Sequence, residues 1–238
     1  MRQAMAQALV AARREARAVV LITPLDGSVQ RLLDDAGLDL LALTDPALAA
    51  AAREALRSDR CQVLLRDDRE TFVTPHNPPL RLIIIGAVHI SEALCHMARA
   101  TGYAVTVVDP RSAFLRPERF PEVALVDAWP QQAFAQLQPD ARTAVVLLPQ
   151  DPKNDDPALL AALPTPAFYI GALGSTRTHA RRLERLTEAG VDSTLQSRIH
   201  GPAGLAIGAR TPAEIALAVL AQMTQMLRQQ GSERSRTA

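Results

Sequence analysis

The sequence predicts an α/β protein in which a small N-terminal α/β domain is followed by a Rossmann-like, doubly wound parallel-sheet domain. Two observations predict this class. The unbroken apolar run Leu82–Ile85 and the second, mainly apolar run Ala104–Val108 are typical of strands buried on both faces of a parallel sheet. Stretches with apolar residues at helical spacing separate these runs. A third observation, the proline-rich segment 75–79, divides the 238 residues into two parts.

Composition limits the class of protein. The net charge is +1, with 26 basic and 25 acidic residues, so the chain as a whole lacks the basic excess of nucleic-acid-binding proteins. No apolar run reaches the ~18 residues of a membrane-spanning helix. The two cysteines, Cys61 and Cys95, fit neither a disulfide framework nor a metal-ligand spacing. We therefore expect a cytoplasmic protein with no nucleic-acid partner and no membrane span.

Residues 1–74 are expected to form the N-terminal domain and residues 75–79 a linker, because prolines in this segment exclude a helix or a central strand. Within this domain the patterns predict helices at 2–17 and 45–56, strands at 18–22 and 38–43, and a hairpin at 61–73.

Residues 80–229 are expected to form the Rossmann-like domain, and residues 230–238 a flexible tail. Strands are predicted at 82–85, 104–108, 123–126, 143–148 and 167–170, and helices at 90–100, 130–137, 176–189 and 211–229. Asp156 followed by Pro157 is typical of a helix start, as is the capping box Thr211–Glu214 with its proline at the first helical position.

The first strand–turn–helix junction is a candidate ligand site. Gly86 and His89 lie in its turn, and Asp109 follows the next strand, where an acid in a dinucleotide-binding unit meets ribose hydroxyls. The turn has only the first glycine of the phosphate-binding pattern, because Val88 and Ser91 occupy the other two glycine positions. Asp109 and its neighbour Arg111 therefore form either part of a ligand site or a surface ion pair.

The second junction, between the fifth strand and the helix at 176–189, has the stronger signal for an anionic ligand. Gly171 and Gly174 permit close backbone approach, and Ser175 or Thr176 is a candidate helix cap. Arg177 and His179 lie in the first helical turn, where basic residues oppose the helix dipole unless an anion is bound. The alternative is a solvated arginine face partly paired with Glu184 and Glu188.

Polar residues elsewhere in the second domain are weaker candidates. Asp151, Lys153 and Asp155 follow the fourth strand and have no evident local role, so they are candidates for holding a hydrated magnesium ion or a heterocycle. Loops are also charged merely because they lie in water. His200, beside a glycine-rich turn, contacts either a ligand or the chain itself.

These motifs together resemble the xanthine dehydrogenase accessory protein family, XdhC/CoxI, over roughly residues 79–227. The resemblance rests on 82–90, Asp109-Pro110-Arg111, the acidic loop 151–157, Tyr169-Ile-Gly-Ala-Leu-Gly-Ser175, His200-Gly-Pro202 and Gly208-Ala-Arg-Thr-Pro-Ala-Glu-Ile-Ala216. It implies a cytoplasmic, non-catalytic accessory chaperone that binds molybdenum cofactor, assists its sulfuration and inserts it into a xanthine or carbon monoxide dehydrogenase. The pterin phosphate would suit the glycine junction at 171–175.

The resemblance also implies partners: the large subunit of the apo-molybdenum hydroxylase, a cysteine desulfurase, and a second copy in a homodimer. Two departures from the family pattern are evident. The short first domain lacks the family's Gly-Gly-Cys-Val-Glu-like segment, and Pro149-Gln150-Asp151 replaces its Thr-His-Asp. The alternative functions are an NAD(P)-dependent oxidoreductase, a nucleotide-binding regulatory protein, and a scaffold that docks an apo-enzyme.

Overall fold

The computed structural model describes residues 3–66 and 68–233, with side chains up to residue 229. The chain divides into two compact units, one ending at Pro79 and the other beginning at Leu80.

The first unit contains a four-stranded antiparallel sheet covered by helices. Its elements are helix α1 (Gln3–Arg14), strands β1 (Val19–Pro24) and β2 (Arg31–Leu33), helices α2 (Asp35–Thr44) and α3 (Pro46–Ser58), and strands β3 (Gln62–Arg66) and β4 (Arg69–His76). The strand order is β2-β1-β4-β3. Val20 and Ile22 of β1 are fully buried against Leu38 of α2 and Ala52 of α3. The predicted hairpin, β3 to β4, is confirmed.

Two predictions for this unit are wrong. The strand predicted at 38–43 lies in α2. The Asp34 side chain caps this helix, and the buried leucines, Leu38 and Leu41, are three positions apart, which is helical spacing, whereas Leu40 is 68% exposed. The linker predicted at 75–79 starts too early, since β4 continues to His76. β3 begins at Gln62, opposite Val73, so of the described strands only β1 lies beside β4 at Pro75, and proline is tolerated at such an edge position.

The second unit is built on a six-stranded parallel sheet. Its strands are β5 (Arg81–Ile85), β6 (Ala104–Val108), β7 (Ala124–Val126), β8 (Thr143–Leu147), β9 (Tyr169–Ala172) and β10 (Ile199–His200), in the order β10-β9-β8-β5-β6-β7. Its helices are α4 (His89–Ala100), α5 (Pro130–Leu137), α6 (Pro152–Ala162), α7 (Thr176–Glu188), α8 (Ser193–Gln196) and α9 (Pro212–Glu233), with a 3-10 turn at Ser112–Phe114. The predicted fold class is confirmed.

Helices cover both faces of this sheet because alternate strand residues point to opposite sides. Leu82 and Ile84 of β5 belong to a core shared with α4 and α9. Ile83 and Ile85 belong to a second core, shared with α5, α6 and α7. This two-sided burial is why β5 is an unbroken apolar run in the sequence.

Successive strands are added to the parallel sheet first on one side of β5 and then on the other, and the change of side lies between β5 and β8. β6 and β7 extend from β5 on one side, whereas β9 and β10 extend from β8 on the other. In open α/β sheets, ligands bind beyond the carboxyl ends of the strands at such a switch point. We therefore expect a ligand site at the turn after β5 or at the loops after β8 and β9.

Two boundaries in this unit differ from prediction. Helix α6 begins at Pro152 rather than at Pro157, because the Asp151 side chain accepts a hydrogen bond from the Lys153 N–H at 3.1 Å and Pro152 occupies the first helical position. Pro157 consequently lies inside the helix. Residues 230–233, predicted as flexible tail, belong to α9, and residues 234–238 lie outside the described residues. The capping box at Thr211 and Glu214 is confirmed.

Candidate functional site

The turn after β5 is closed by the chain itself. Gly86 has φ +100°, and a Cβ placed on it would lie 2.6 Å from Cγ of Pro149, which follows β8. Ser91 Oγ accepts a hydrogen bond from the Val88 N–H at 3.0 Å and donates to the Gly86 carbonyl. Gly86 therefore serves the tight turn and its packing on Pro149, while Val88 lies at the position where the pattern needs the glycine that a pyrophosphate approaches.

Asp109, at the end of β6, is fully engaged within the protein. One carboxylate oxygen accepts from the Arg111 N–H and Nε, both at 2.9 Å, and the other accepts from the Ala87 N–H and Arg111 Nη2, both at 2.8 Å. Burial by itself would raise the pKa of Asp109, but these hydrogen bonds from Arg111 and Ala87 outweigh it and hold the pKa below its ordinary value. A ribose would have to displace them, which argues against dinucleotide binding here.

The glycines after β9 accommodate the protein's own side chains. A Cβ on Gly171 would lie 2.6 Å from the Tyr169 ring, and one on Gly174 would lie 3.0 Å from Cβ of Thr178. The Tyr169 ring stacks on His200 with centroids 4.8 Å apart, and its hydroxyl donates to Gln222 at 2.7 Å. These contacts stabilise the carboxyl end of β9. They also fill the space beside both glycines, so no open backbone surface remains there for a phosphate.

Next to this junction, the structure has a cleft between α6 and α7. Its volume is ≈ 340 Å³, and it opens at the carboxyl ends of β8 and β9. It is lined by Asp155 of α6 and by Arg177, Thr178, Arg181, Arg182 and Arg185 of α7. The first turns of both helices contribute to its wall. In α6 Pro152 has no N–H and the Lys153 N–H is bonded to Asp151, so the helix N-terminus that has N–H groups to offer is that of α7.

Arg182 is the most unusual group in this cleft, because the guanidinium is almost completely buried and only partly paired. The residue is 1% exposed. Its Nη2 donates to Asp155 Oδ2 at 3.2 Å and to the Leu173 carbonyl at 2.8 Å. Its Nε and Nη1, and Oδ1 of Asp155, are buried with no hydrogen-bond partner among the described residues. Unmet buried donors are unfavourable by about 1–3 kcal/mol each, so an acceptor inserted here gains that energy.

The remaining charges make the cleft positive. Arg177 and Arg181 are exposed and form no ion pair within residues 3–66 and 68–233. Arg185 is paired bidentately with Asp156, at 2.6 and 2.8 Å. Burial raises the pKa of Asp155 to about 6 despite the attraction of Arg182. The cleft therefore combines an arginine excess with the N-terminus of α7, which is the environment that binds anionic groups.

Comparison with known proteins identifies the second unit. The model of the XdhC Rossmann domain matches residues 82–223. The chain belongs to the XdhC family. It is 35% identical over 152 residues to the molybdenum cofactor insertion chaperone PaoD of Escherichia coli, covering 64% of this chain and 42% of PaoD. It is 32% identical over 155 residues to a probable xanthine dehydrogenase subunit of Bacillus subtilis, covering 65% of this chain and 45% of that protein.

The chain spans less than half the length of these curated relatives. Its fold also matches a crystal structure from Bacillus halodurans described as a xanthine dehydrogenase, with TM-score 0.72 and 19% identity over 95% of this chain and 64% of that one. At this identity the likeness shows the fold alone, and it covers residues of both units. No helix within the described residues is long and apolar enough to cross a membrane.

The XdhC structure brings only two of the predicted site residues, Asp155 and Arg177, into the arginine cleft. The others lie elsewhere in the second unit. Asp151 caps α6, and Lys153 is exposed in its first turn. His89 is exposed on α4, 3.8 Å from Glu92.

The two histidines near the second junction contact the chain. A Cβ on Gly201 would lie 2.1 Å from Nδ1 of His179, so the imidazole packs on this glycine. Burial lowers the pKa of both His179 and His200. Ser175 caps α7 by accepting a hydrogen bond from the Thr178 N–H at 3.1 Å. Contact of these residues with a ligand stays a prediction.

Sequence reasoning missed Arg182 because it treated the arginines of α7 as one solvated face. That alternative is wrong for Arg182, which is buried, and for Arg185, which is paired with α6. The signal was present in the periodicity: Arg182 precedes the buried Leu186 by one helical turn and so lies on the inward face. No group of three or more His, Cys, Asp or Glu side chains in the described part of the chain is placed to hold a metal ion.

Proposed function

We propose that this XdhC-family chain binds molybdenum cofactor and serves its delivery to a molybdenum hydroxylase. The observation that carries the proposal is the buried Arg182, whose Nε and Nη1 lack acceptors inside a cleft at the carboxyl edge of the sheet. The names of the two curated relatives, a molybdenum cofactor insertion chaperone and a xanthine dehydrogenase subunit, support the same role.

The residues present fit the phosphate end of such a cofactor. Guanidinium groups bind phosphate oxygens through paired N–H donors, and Arg182 has two donors to offer. The exposed Arg177 and Arg181 lie where they would attract the anion to the opening. A volume of ≈ 340 Å³ lies at the lower end of the usual range for small-molecule sites, about 300–1,000 Å³. The cleft would hold the phosphate and part of the heterocycle.

The cleft supports binding rather than covalent chemistry. Its lining supplies arginines, a carboxylate, a threonine and Gln150, and no nucleophile paired with a base and an orienting group occurs among its described side chains. Burial raises the pKa of Cys95 to about 12, so this thiol is not a sulfur carrier. In this proposal the sulfur for sulfuration comes from a separate cysteine desulfurase, and the chain holds the cofactor while it is modified.

The finer assignments of the proposal concern partners and place. In this proposal the chain acts in the cytoplasm, assembles as a homodimer, and delivers the cofactor to the large subunit of a xanthine or carbon monoxide dehydrogenase. Light scattering on the purified chain measures the oligomeric state directly, and reconstitution of each apo-enzyme with loaded protein identifies the client.

Co-elution of cofactor with the purified chain tests the proposal. Protein incubated anaerobically with molybdopterin cofactor released from a molybdoenzyme is passed over a sizing column, and bound pterin is measured by fluorescence after oxidation. We expect retention by the natural chain and a loss of about tenfold or more in affinity for the double variant Arg177→Gln/Arg181→Gln. Both residues are exposed, so folding should be unaffected.

Arg116→Gln provides the matched control, because Arg116 is an exposed arginine of the same unit outside the cleft. Equal retention by the double variant and by Arg116→Gln, or no pterin with the natural chain, contradicts the proposal. Titration with NAD(P) tests the oxidoreductase alternative, for which we expect no binding at millimolar concentration, because Asp109 is already bonded within the protein and Val88 replaces the glycine that a pyrophosphate approaches.

A further inference from the structure

The arginine cleft contains an unmet acceptor as well as unmet donors. Asp155 is 2% exposed and uses one oxygen, Oδ2, to contact Arg182 at 3.2 Å. Its other oxygen, Oδ1, is buried and receives no hydrogen bond within the described residues. A ligand that satisfied only Arg182 would place its own oxygens beside this carboxylate, and two acceptors without a shared proton repel each other.

We propose that Asp155 makes the cleft selective for an oxyanion that carries its own hydrogen-bond donor, such as a protonated phosphate, over an oxyanion without one, such as sulfate. The ligand group then gives acceptor oxygens to Nε and Nη1 of Arg182 and donates its proton to Oδ1 of Asp155. This inference deepens the proposed function, since it concerns the anionic group recognised in the same cleft.

The chemistry of the two anions supports the distinction. Inorganic phosphate keeps at least one proton throughout the neutral range, and a phosphate monoester keeps one below its second pKa of about 6. Sulfate has no proton to donate in that range. The two anions are otherwise similar in size and shape, so arginines alone would bind both.

Asp155 is the carboxylate in a position to discriminate, because its neighbours on α6 are occupied. Both oxygens of Asp156 accept from Arg185. Asp151 accepts from the Lys153 N–H and from the Asn154 amide. The charged groups facing Asp155 are therefore these two acids on its own helix and, from α7, the four arginines of the cleft.

Calorimetric titration of the full chain with inorganic phosphate and with sulfate, at neutral pH and constant ionic strength, tests the inference. We expect phosphate to bind at least about tenfold more tightly than sulfate, the effect of one hydrogen bond to a charged group. In Asp155→Asn the amide can donate to either anion, so the ratio should fall to within about threefold, mainly through tighter sulfate binding. Asp156→Asn removes the same charge from the same helix and should keep the natural ratio.

The ¹⁵N resonance of Arg182 Nε reports whether each anion reaches the buried guanidinium. A shift with phosphate in the natural chain supports the assignment of the site. Equal affinity for both anions, no binding of either in the tens of millimolar, or an unchanged ratio in Asp155→Asn would overturn the inference.

A pH series on the natural chain covers the case in which Asp155→Asn does not fold. The ratio of phosphate affinity to sulfate affinity should decrease as the pH falls below about 6, because protonated Asp155 can donate a hydrogen bond to sulfate. A ratio that stays constant with pH refutes the inference. Failure here is distinguishable from failure of the proposed function. Phosphate selectivity without pterin retention contradicts only the cofactor role, and pterin retention without phosphate selectivity contradicts only the role of Asp155.

Discussion

Replacing Asp155 with asparagine should change how the stability of the second unit depends on pH. The pKa of this carboxyl group is raised from 3.8 to about 6, mainly by burial, which outweighs the attraction of Arg182. Between these two values the folded state binds more protons than the unfolded state, so the free energy of unfolding decreases as the pH rises. The decrease amounts to about 3 kcal/mol and is complete above the folded-state pKa.

Asparagine remains neutral, so Asp155→Asn lacks this decrease. We expect the variant and the natural chain to have similar stability near pH ~4, with the variant gaining up to about 3 kcal/mol relative to the natural chain by pH ~7. Carboxylates with depressed pKa values, such as Asp109, act in the opposite direction in both proteins and cancel in the difference. The difference between the two curves therefore isolates Asp155.

Urea unfolding followed by the fluorescence of Trp129 measures this quantity. Trp129 is the single tryptophan of the chain and lies at the start of α5, so it reports on the second unit. Asp156→Asn is the control for removing one negative charge from the same helix. The reasoning is refuted if the free energies of unfolding of Asp155→Asn and the natural chain change in parallel with pH, or if the variant loses stability relative to the natural chain as the pH rises.

Three further substitutions test contacts around the site. Arg182→Met leaves Asp155 buried without its cation and should destabilise the chain by about 3–5 kcal/mol in urea unfolding. Adding Asp155→Leu should restore most of this loss, and a double variant that is no more stable than Arg182→Met contradicts the pairing. Gly201→Ala brings a Cβ within 2.1 Å of the His179 ring and should lose about 1–3 kcal/mol of stability, but clearly less in a His179→Ala background. Ser175→Ala removes the cap of α7 and should lower stability by about 1 kcal/mol in thermal unfolding, whereas Ser175→Asp should not.

Most elements of the second unit could be predicted because their signals are local. β5, α4 and β6 follow from two runs dominated by apolar residues and one stretch of helical spacing between them, because burial on both faces favours apolar side chains at successive positions. The capping box before α9 is equally local, since Thr211 and Glu214 bond to each other's backbone within one turn.

Local signals fail where two structures fit the same residues. Asp151-Pro152 and Asp156-Pro157 are equivalent helix starts in sequence, and the structure uses the earlier one. The leucines at 38–43 satisfy both a strand and a helix, and the cap at Asp34 with burial of only Leu38 and Leu41 selects the helix. Both choices depend on what lies opposite the segment.

By itself the sequence determined the α/β class, the parallel sheet and the XdhC motifs, because each is encoded in residues that are neighbours along the chain. Only the tertiary structure decided which polar groups meet. Arg182 and Asp155 are 27 positions apart and come together because β8 and β9 are adjacent, which brings the helices that follow them side by side. The same long-range packing places Pro149 on Gly86, 63 positions earlier, so the open cleft lies not at that glycine turn but at the arginines of α7.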